Sequence, residues 1–228
     1  MDVFNIAKSI EKLIFELLMW LIFYPYTLLR VIVQPGRMMD YARTETLRDE
    51  NVSFDSGMKP SIFLFLSIVI AAYIAPVTKA DLADASDTLT GQYVTASWLN
   101  LIIFRMVIYS IFPITSALIY DLITPGRVTR LTLQIPFNQQ CYICAPFAMI
   151  TSLSIVLFPH TENPVFAALF LAAQLWLLFS NFSFFRTQGQ QSGWKAAGLT
   201  TVSFFVAWSV FLSVTIIALR YKGIAPST

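Results

Sequence analysis

Five long apolar stretches, separated by short polar connectors, decide what this chain can fold into: residues 61–78, 98–123, 142–158, 165–185 and 195–219. A helix that crosses a bilayer needs about 20 mainly apolar residues, because the hydrocarbon layer is about 30 Å thick and a helix rises about 1.5 Å per residue. Composition agrees. Only 12% of the 228 residues are charged and 57% are hydrophobic, whereas an average soluble domain is about a quarter charged. Polar surface is too scarce to cover a water-soluble globule. Amphipathic rings settle at the water boundary, and Trp98, Tyr120, Tyr142, Trp194 and Tyr221 fall at the ends of the stretches. The expected fold is all-α: a polytopic membrane protein with about five transmembrane helices.

The first 33 residues follow a different pattern. Asn5, Lys8, Ser9, Lys12 and Glu16 recur at helical spacing as a polar stripe, opposite Phe4, Ala7, Ile10, Leu13, Ile14 and Leu17. That is the pattern of a helix lying in the membrane interface. It runs on into a more apolar segment with Pro25, which favours a kink, and Arg30, which shortens any uncharged span. The organisation read from the chain is an interfacial or re-entrant region at 1–33, a charged linker at 34–60, a bundle at 61–219 and a short tail at 220–228. With Asp2 and Glu11 at the start and no small-residue cleavage site, no cleaved signal peptide is expected.

Charge sets the orientation. With 34–60 in the cytoplasm, Arg37, Arg43, Arg48, Lys59, Arg127, Arg130, Arg186 and Lys195 lie inside, against Lys79, Arg220 and Lys222 outside, in line with the excess of Lys and Arg in cytoplasmic loops. A bacterial inner membrane is the expected location. The net charge of +2 offers no concentrated basic face, so nucleic acid is not an expected partner.

Several residues carry a chemical and a structural reading side by side. Cys141 and Cys144, three apart in QQCYICAP, could share a helix face, and the start of a helix lowers a thiol pKa. Against a redox or metal role, a zinc site needs about four ligands and the single His160 lies roughly 24 Å away at helical rise. The structural reading is two small packing residues. Arg105 lies about two turns inside the second stretch, where a charge is costly unless it meets protein or water. Its alternatives are a bond to polar groups or backbone in the bundle, contact with an anionic lipid or transported anion, or snorkelling aided by Tyr109. Asp121, on the same stretch, reads as a solvated boundary residue.

Gln174 and Asn181 are seven apart, share a face of the fourth stretch and fit interhelical hydrogen bonds. Ala71 with Ala75, and Ala168 with Ala172, have the small-residue spacing that lets helices approach closely, within the chain or against a partner. Asp81, Asp84 and Asp87 do not have the spacing of a calcium loop and read as a solvated acidic loop. The Asn181–Ser183 sequon falls inside a span. No nucleophile with its base, phosphate-binding glycine loop or metal cluster is visible, so no cofactor is expected.

The order of segments, the proline-glycine step in VIVQPGRMMDY, the NQQCYICAP entry to the third span and the small-residue entry WKAAGLT to the last resemble the Yip (Ypt-interacting protein) domain superfamily. The resemblance implies a multi-span membrane protein and supplies no catalytic residues. In eukaryotic members it implies a cytosolic N-terminus that contacts small GTPases; here that segment is short and amphipathic. The expected function is a non-catalytic scaffold or accessory subunit that meets membrane lipids and a membrane-protein partner or a second copy of itself. The alternatives are a transporter or channel component built around Arg105, or a lipid-modifying enzyme that uses Arg105 and the cysteine pair.

Overall fold

A computed structural model describes residues 3–48, 54, 57–82, 87–126 and 129–220, and among these every regular element is helical. In chain order they are α1 (Val3–Val33), α2 (Pro35–Thr46), α3 (Pro60–Ile74), α4 (Lys79–Leu82), α5 (Leu89–Ala96), α6 (Trp98–Tyr109), α7 (Ile111–Ile123), α8 (Arg130–Thr161), α9 (Pro164–Thr187) and α10 (Gly193–Arg220). Among the described residues four runs are long and apolar enough to cross a membrane: Trp98–Ile123, Arg130–Thr161, Pro164–Thr187 and Gly193–Ala218. The side chains of Phe4, Asn5, Ala7, Ile10, Lys12, Leu13, Glu16 and Leu17, together with Asp84, Arg127, Tyr221, Lys222 and the rest of the tail, lie outside the described residues.

The first apolar stretch, 61–78, forms a shorter helix than expected. Pro76 is the reason. A residue before proline is pushed out of the helical region, and Ala75 sits at φ −126°, ψ 75°. α3 therefore ends at Ile74 after 15 residues, about 22 Å of rise against a hydrocarbon layer of about 30 Å. The stretch 98–123 is long enough to cross but is jointed. The Ser110 hydroxyl bonds the Met106 carbonyl at 2.6 Å, and Pro113 cannot give the N–H that would bond the Tyr109 carbonyl, so α6 and α7 meet at Ser110.

The connector before Tyr142 departs most from the sequence reading, which left 124–141 outside the third span. From Arg130 onward it is helix, continuous with the span. Thr129 and Thr132 close a capping box on the first turn, and α8 runs 32 residues, about 48 Å. It is the axis of the molecule, packing on α3, α9, α7 and α2. Every residue from Gln139 to Ala148 is buried, as required of a helix covered on all sides. Beside it Phe112 of α7, Phe147 of α8 and Trp208 and Phe211 of α10 form an aromatic core, with Phe112 and Phe147 centroids 4.8 Å apart.

α1 is a single helix that continues through Pro25. Its second half lies against the bundle: the hydroxyls of Tyr24 and Ser67 on α3 are 3.0 Å apart, and Trp176 of α9 donates to the Ile32 carbonyl at 3.4 Å. The 34–60 linker contains α2, which turns Met38, Met39, Ala42 and Glu45 inward. Chain direction then defines two ends of the bundle. One holds α2, the starts of α3, α8 and α10 and the finishes of α7 and α9. The other holds α4, α5 and the finish of α8.

Candidate functional site

The shortness of α3 prepares the Arg105 site. The last carbonyls of a helix have no partners within it and carry its negative pole. Arg105, from α6, is 4% exposed and donates through Nη2 to the Ala75 carbonyl at 2.8 Å. Of the roles open to this residue, the geometry places the guanidinium on backbone at the end of a neighbouring helix. Its Nη1 is buried with no hydrogen-bond partner among the described residues. Tyr109, one turn on, is buried and bonds Ser152 of α8 instead of lining an outward path.

Gln174 bridges three helices. Its Nε2 donates to Thr151 Oγ1 on α8 at 3.3 Å, and its Oε1 accepts from Trp208 Nε1 on α10 at 3.1 Å. Asn181 is buried on the same helix, but its Oδ1 finds no partner among the described residues, nor does the Ser180 hydroxyl. Sequence spacing put Gln174 and Asn181 on one face, and only Gln174 is tied across it. Ala71 on α3 and Ala75 just past its end are fully buried. Ala168 and Ala172 are exposed, because α9 instead turns Ala173, Gln174, Leu177, Ser180, Asn181 and Phe184 inward.

Cys141 and Cys144 are free thiols in the fully covered middle of α8. Contrary to the expectation from the sequence, they do not sit at a helix start, where a thiol would be activated. α8 begins at Arg130, so the pair lies about three turns inside it. Among the described residues no group of three or more His, Cys, Asp or Glu could hold a metal. Asp121, expected to be solvated, is 8% exposed.

The site that sequence reasoning passed over adjoins the cysteines. Gln139 donates to the Met39 carbonyl of α2 and to Gln188 Oε1 just past α9, both at 3.0 Å. Gln188 in turn donates to Asp40 Oδ1 at 2.6 Å, and its own carbonyl accepts from Tyr120 of α7 at 3.3 Å. Asn138 bonds Thr46 Oγ1 at 3.0 Å, and the Tyr142 hydroxyl donates to the Met58 carbonyl just before α3. Glu45, buried on α2, accepts from Arg48 at 2.8 Å and from the Phe54 backbone at 2.7 Å. The signal in QQCYICAP was the Gln139 amide, not the thiols: a polar side chain on a helix buried all round is expected to bond neighbours, as Gln139 does, whereas Gln140 beside it is buried without a partner among the described residues. This lattice clamps helices and, among the described residues, places no nucleophile beside a base.

No protein-family model matches the chain, and no curated protein and no solved structure matches it either.

Proposed function

We propose that this chain is a non-catalytic integral membrane scaffold or accessory subunit, seated in a bacterial inner membrane with residues 34–60 on the cytoplasmic side. The observation that carries the reading is the orientation of α9. Its inward face is already filled, and Ala168 and Ala172, spaced for close helix approach, face outward. A second transmembrane helix, from another subunit or another copy, fits that face. The core polar groups support the same reading, since Gln174, Arg105 and Gln139 join helix to helix. The likeness of segment order to the Yip superfamily adds to it. Orientation rests on Arg37, Arg43, Arg48, Lys59, Arg130, Arg186 and Lys195 at the α2 end, against Lys79 and Arg220 at the other.

Ala168→Cys in intact membranes tests this, because both native cysteines are buried. A thiol cross-linker is expected to give one discrete species of higher mass, lost when Ala172→Leu fills the face. A monomer under every condition overturns the proposal. One observation favours the transporter alternative: the side-chain N and O of Gln140 and the oxygens of Ser180 and Asn181 are buried without partners among the described residues, a source of polarity inside the bundle. On that reading Arg105→Ala abolishes solute flux in vesicles at normal protein level. Loss of folding without a specific flux defect favours the scaffold.

A further inference from the structure

At the α2 end a pocket of about 150 Å³ opens between the finish of α7, the start of α8 and α2. It has room for about five waters' volume. Two opposite charges line it: Asp121 from the last turn of α7 and Arg43 from the outward side of α2. Asp121 is more than nine-tenths buried, yet its Oδ2 has no hydrogen-bond partner among the described residues. Arg43 is exposed, and the two do not meet as an ion pair, since the pairs formed among the described residues are Arg48–Glu45 and His160–Asp81. A carboxylate and a guanidinium that face one cavity without closing on each other complement a ligand carrying both charges.

The walls add to this. Pro136 lacks the N–H that would bond the Thr132 carbonyl one turn back, so the pocket's α8 side carries an acceptor freed from the helix ladder. On the loop side Gly126 takes φ +143°, a conformation that residues with a side chain rarely adopt. The surroundings indicate what kind of molecule enters. Asp121 lies two residues from the end of the run Trp98–Ile123, where a helix of that length would leave a hydrocarbon layer of about 30 Å. On the same helix Leu118 and Leu122 are exposed, Leu122 at 76%, and offer a strip for acyl chains beside the pocket mouth.

The geometry points to a binding site for a phosphoethanolamine group, supplied by an aminophospholipid: the ammonium against Asp121 and the phosphate against Arg43. This site does not depend on the scaffold proposal and stands or falls by itself. A trimethylated choline nitrogen cannot donate to the carboxylate, and a glycerol headgroup brings no cation.

Native mass spectrometry of the full chain, released from detergent and titrated with phosphatidylethanolamine, phosphatidylcholine or phosphatidylglycerol of identical acyl chains, tests it. The expected result is one retained phosphatidylethanolamine, preferred about tenfold over the other two, the scale of a hydrogen bond to a charged group. Asp121→Asn, close to isosteric, removes the preference over phosphatidylcholine, while Arg43→Gln, on an exposed position, weakens both lipids alike. Excess free phosphoethanolamine is expected to leave the lipid bound; displacement by it overturns the lipid assignment in favour of a soluble ligand. Equal retention of the three lipids, or a preference unchanged in Asp121→Asn, overturns the site. Should Asp121→Asn fail to fold, Arg43→Gln decides alone, and undiminished retention in it overturns the proposal.

Discussion

The two ends of the bundle are held by different chemistry. At the α2 end, neutral amides do most of the joining: Gln139, Gln188 and Asn138 connect α2, α8 and the finish of α9, and Tyr120 and Tyr142 fasten α7 and the entry to α3 by single hydroxyls. At the α4 end the long-range links are ionic or charge-assisted: Arg105 on the Ala75 carbonyl, and His160 of α8 against Asp81 of α4. An amide bonds two partners at once and has no charge to desolvate, so it suits a covered lattice. A charged group is stronger singly, but it answers to pH and salt wherever water reaches it. The molecule is therefore braced mainly by amides at one end, with Asp40 and Glu45 as charged acceptors beside them, and trimmed by ionisable groups at the other.

The deepest cut into this contrast is Gln139→Leu. It keeps the bulk of the side chain and strips two bonds, leaving the Met39 carbonyl and Gln188 Oε1 without their donor. Each of the two buried groups left unsatisfied costs about 1–3 kcal/mol, so a loss of about 2–6 kcal/mol in stability is expected. A fall in the thermal midpoint in detergent, with new protease cuts within α2, measures it. A midpoint unchanged from the parent chain would show that the amide lattice braces nothing.

Next in size is Arg105→Met at the opposite end. It removes the donor from the Ala75 carbonyl and the cation from the end of α3. Because the lost bond involves a charged group while the burden of a buried cation also disappears, the net cost is about 1–2 kcal/mol. Hydrogen exchange is expected to quicken in the last turn of α3 and leave α2 untouched. Arg105→Lys, which keeps the charge without the planar fork, is expected to restore part of the protection.

How much of this was legible in the sequence follows from the same contrast. Apolar length is additive along a chain, so four of the five stretches read correctly as membrane-length helices, and the all-helical class with them. Polarity inside a helix is harder to read. Arg130 to Gln140 contains Pro136 and several polar residues, which resemble a loop until α2 and Gln188 are present to satisfy them. Arg105 stood out as an anomaly, but its partner is a backbone carbonyl freed by Pro76, and a carbonyl has no signature of its own in a sequence. The outward turn of Ala168 and Ala172 was also hidden, since α9 is apolar on nearly every side and its rotation is fixed only by what Gln174 and Phe184 meet.

The smallest effect tests the ionic end directly. Burial alone would raise the Asp81 carboxyl, but the Thr78 N–H and hydroxyl and the facing His160 outweigh it and hold the group below the ordinary carboxylate range. The unfolded chain then takes up the Asp81 proton more readily than the folded one. The stabilisation is thus fully present above about pH 4 and is lost as pH falls through the depressed folded value. His160 is half exposed, at 50%, so solvent screens the pair and its worth is under about 1 kcal/mol. Asp81→Asn is expected to lower the midpoint slightly at neutral pH, to converge with the parent chain under acid, and to lose the difference in high salt. Gln139→Leu is expected to show a deficit independent of pH and salt. Should the Gln139 deficit instead vary with salt while that of Asp81 does not, the assignment of neutral and ionic ends would be reversed.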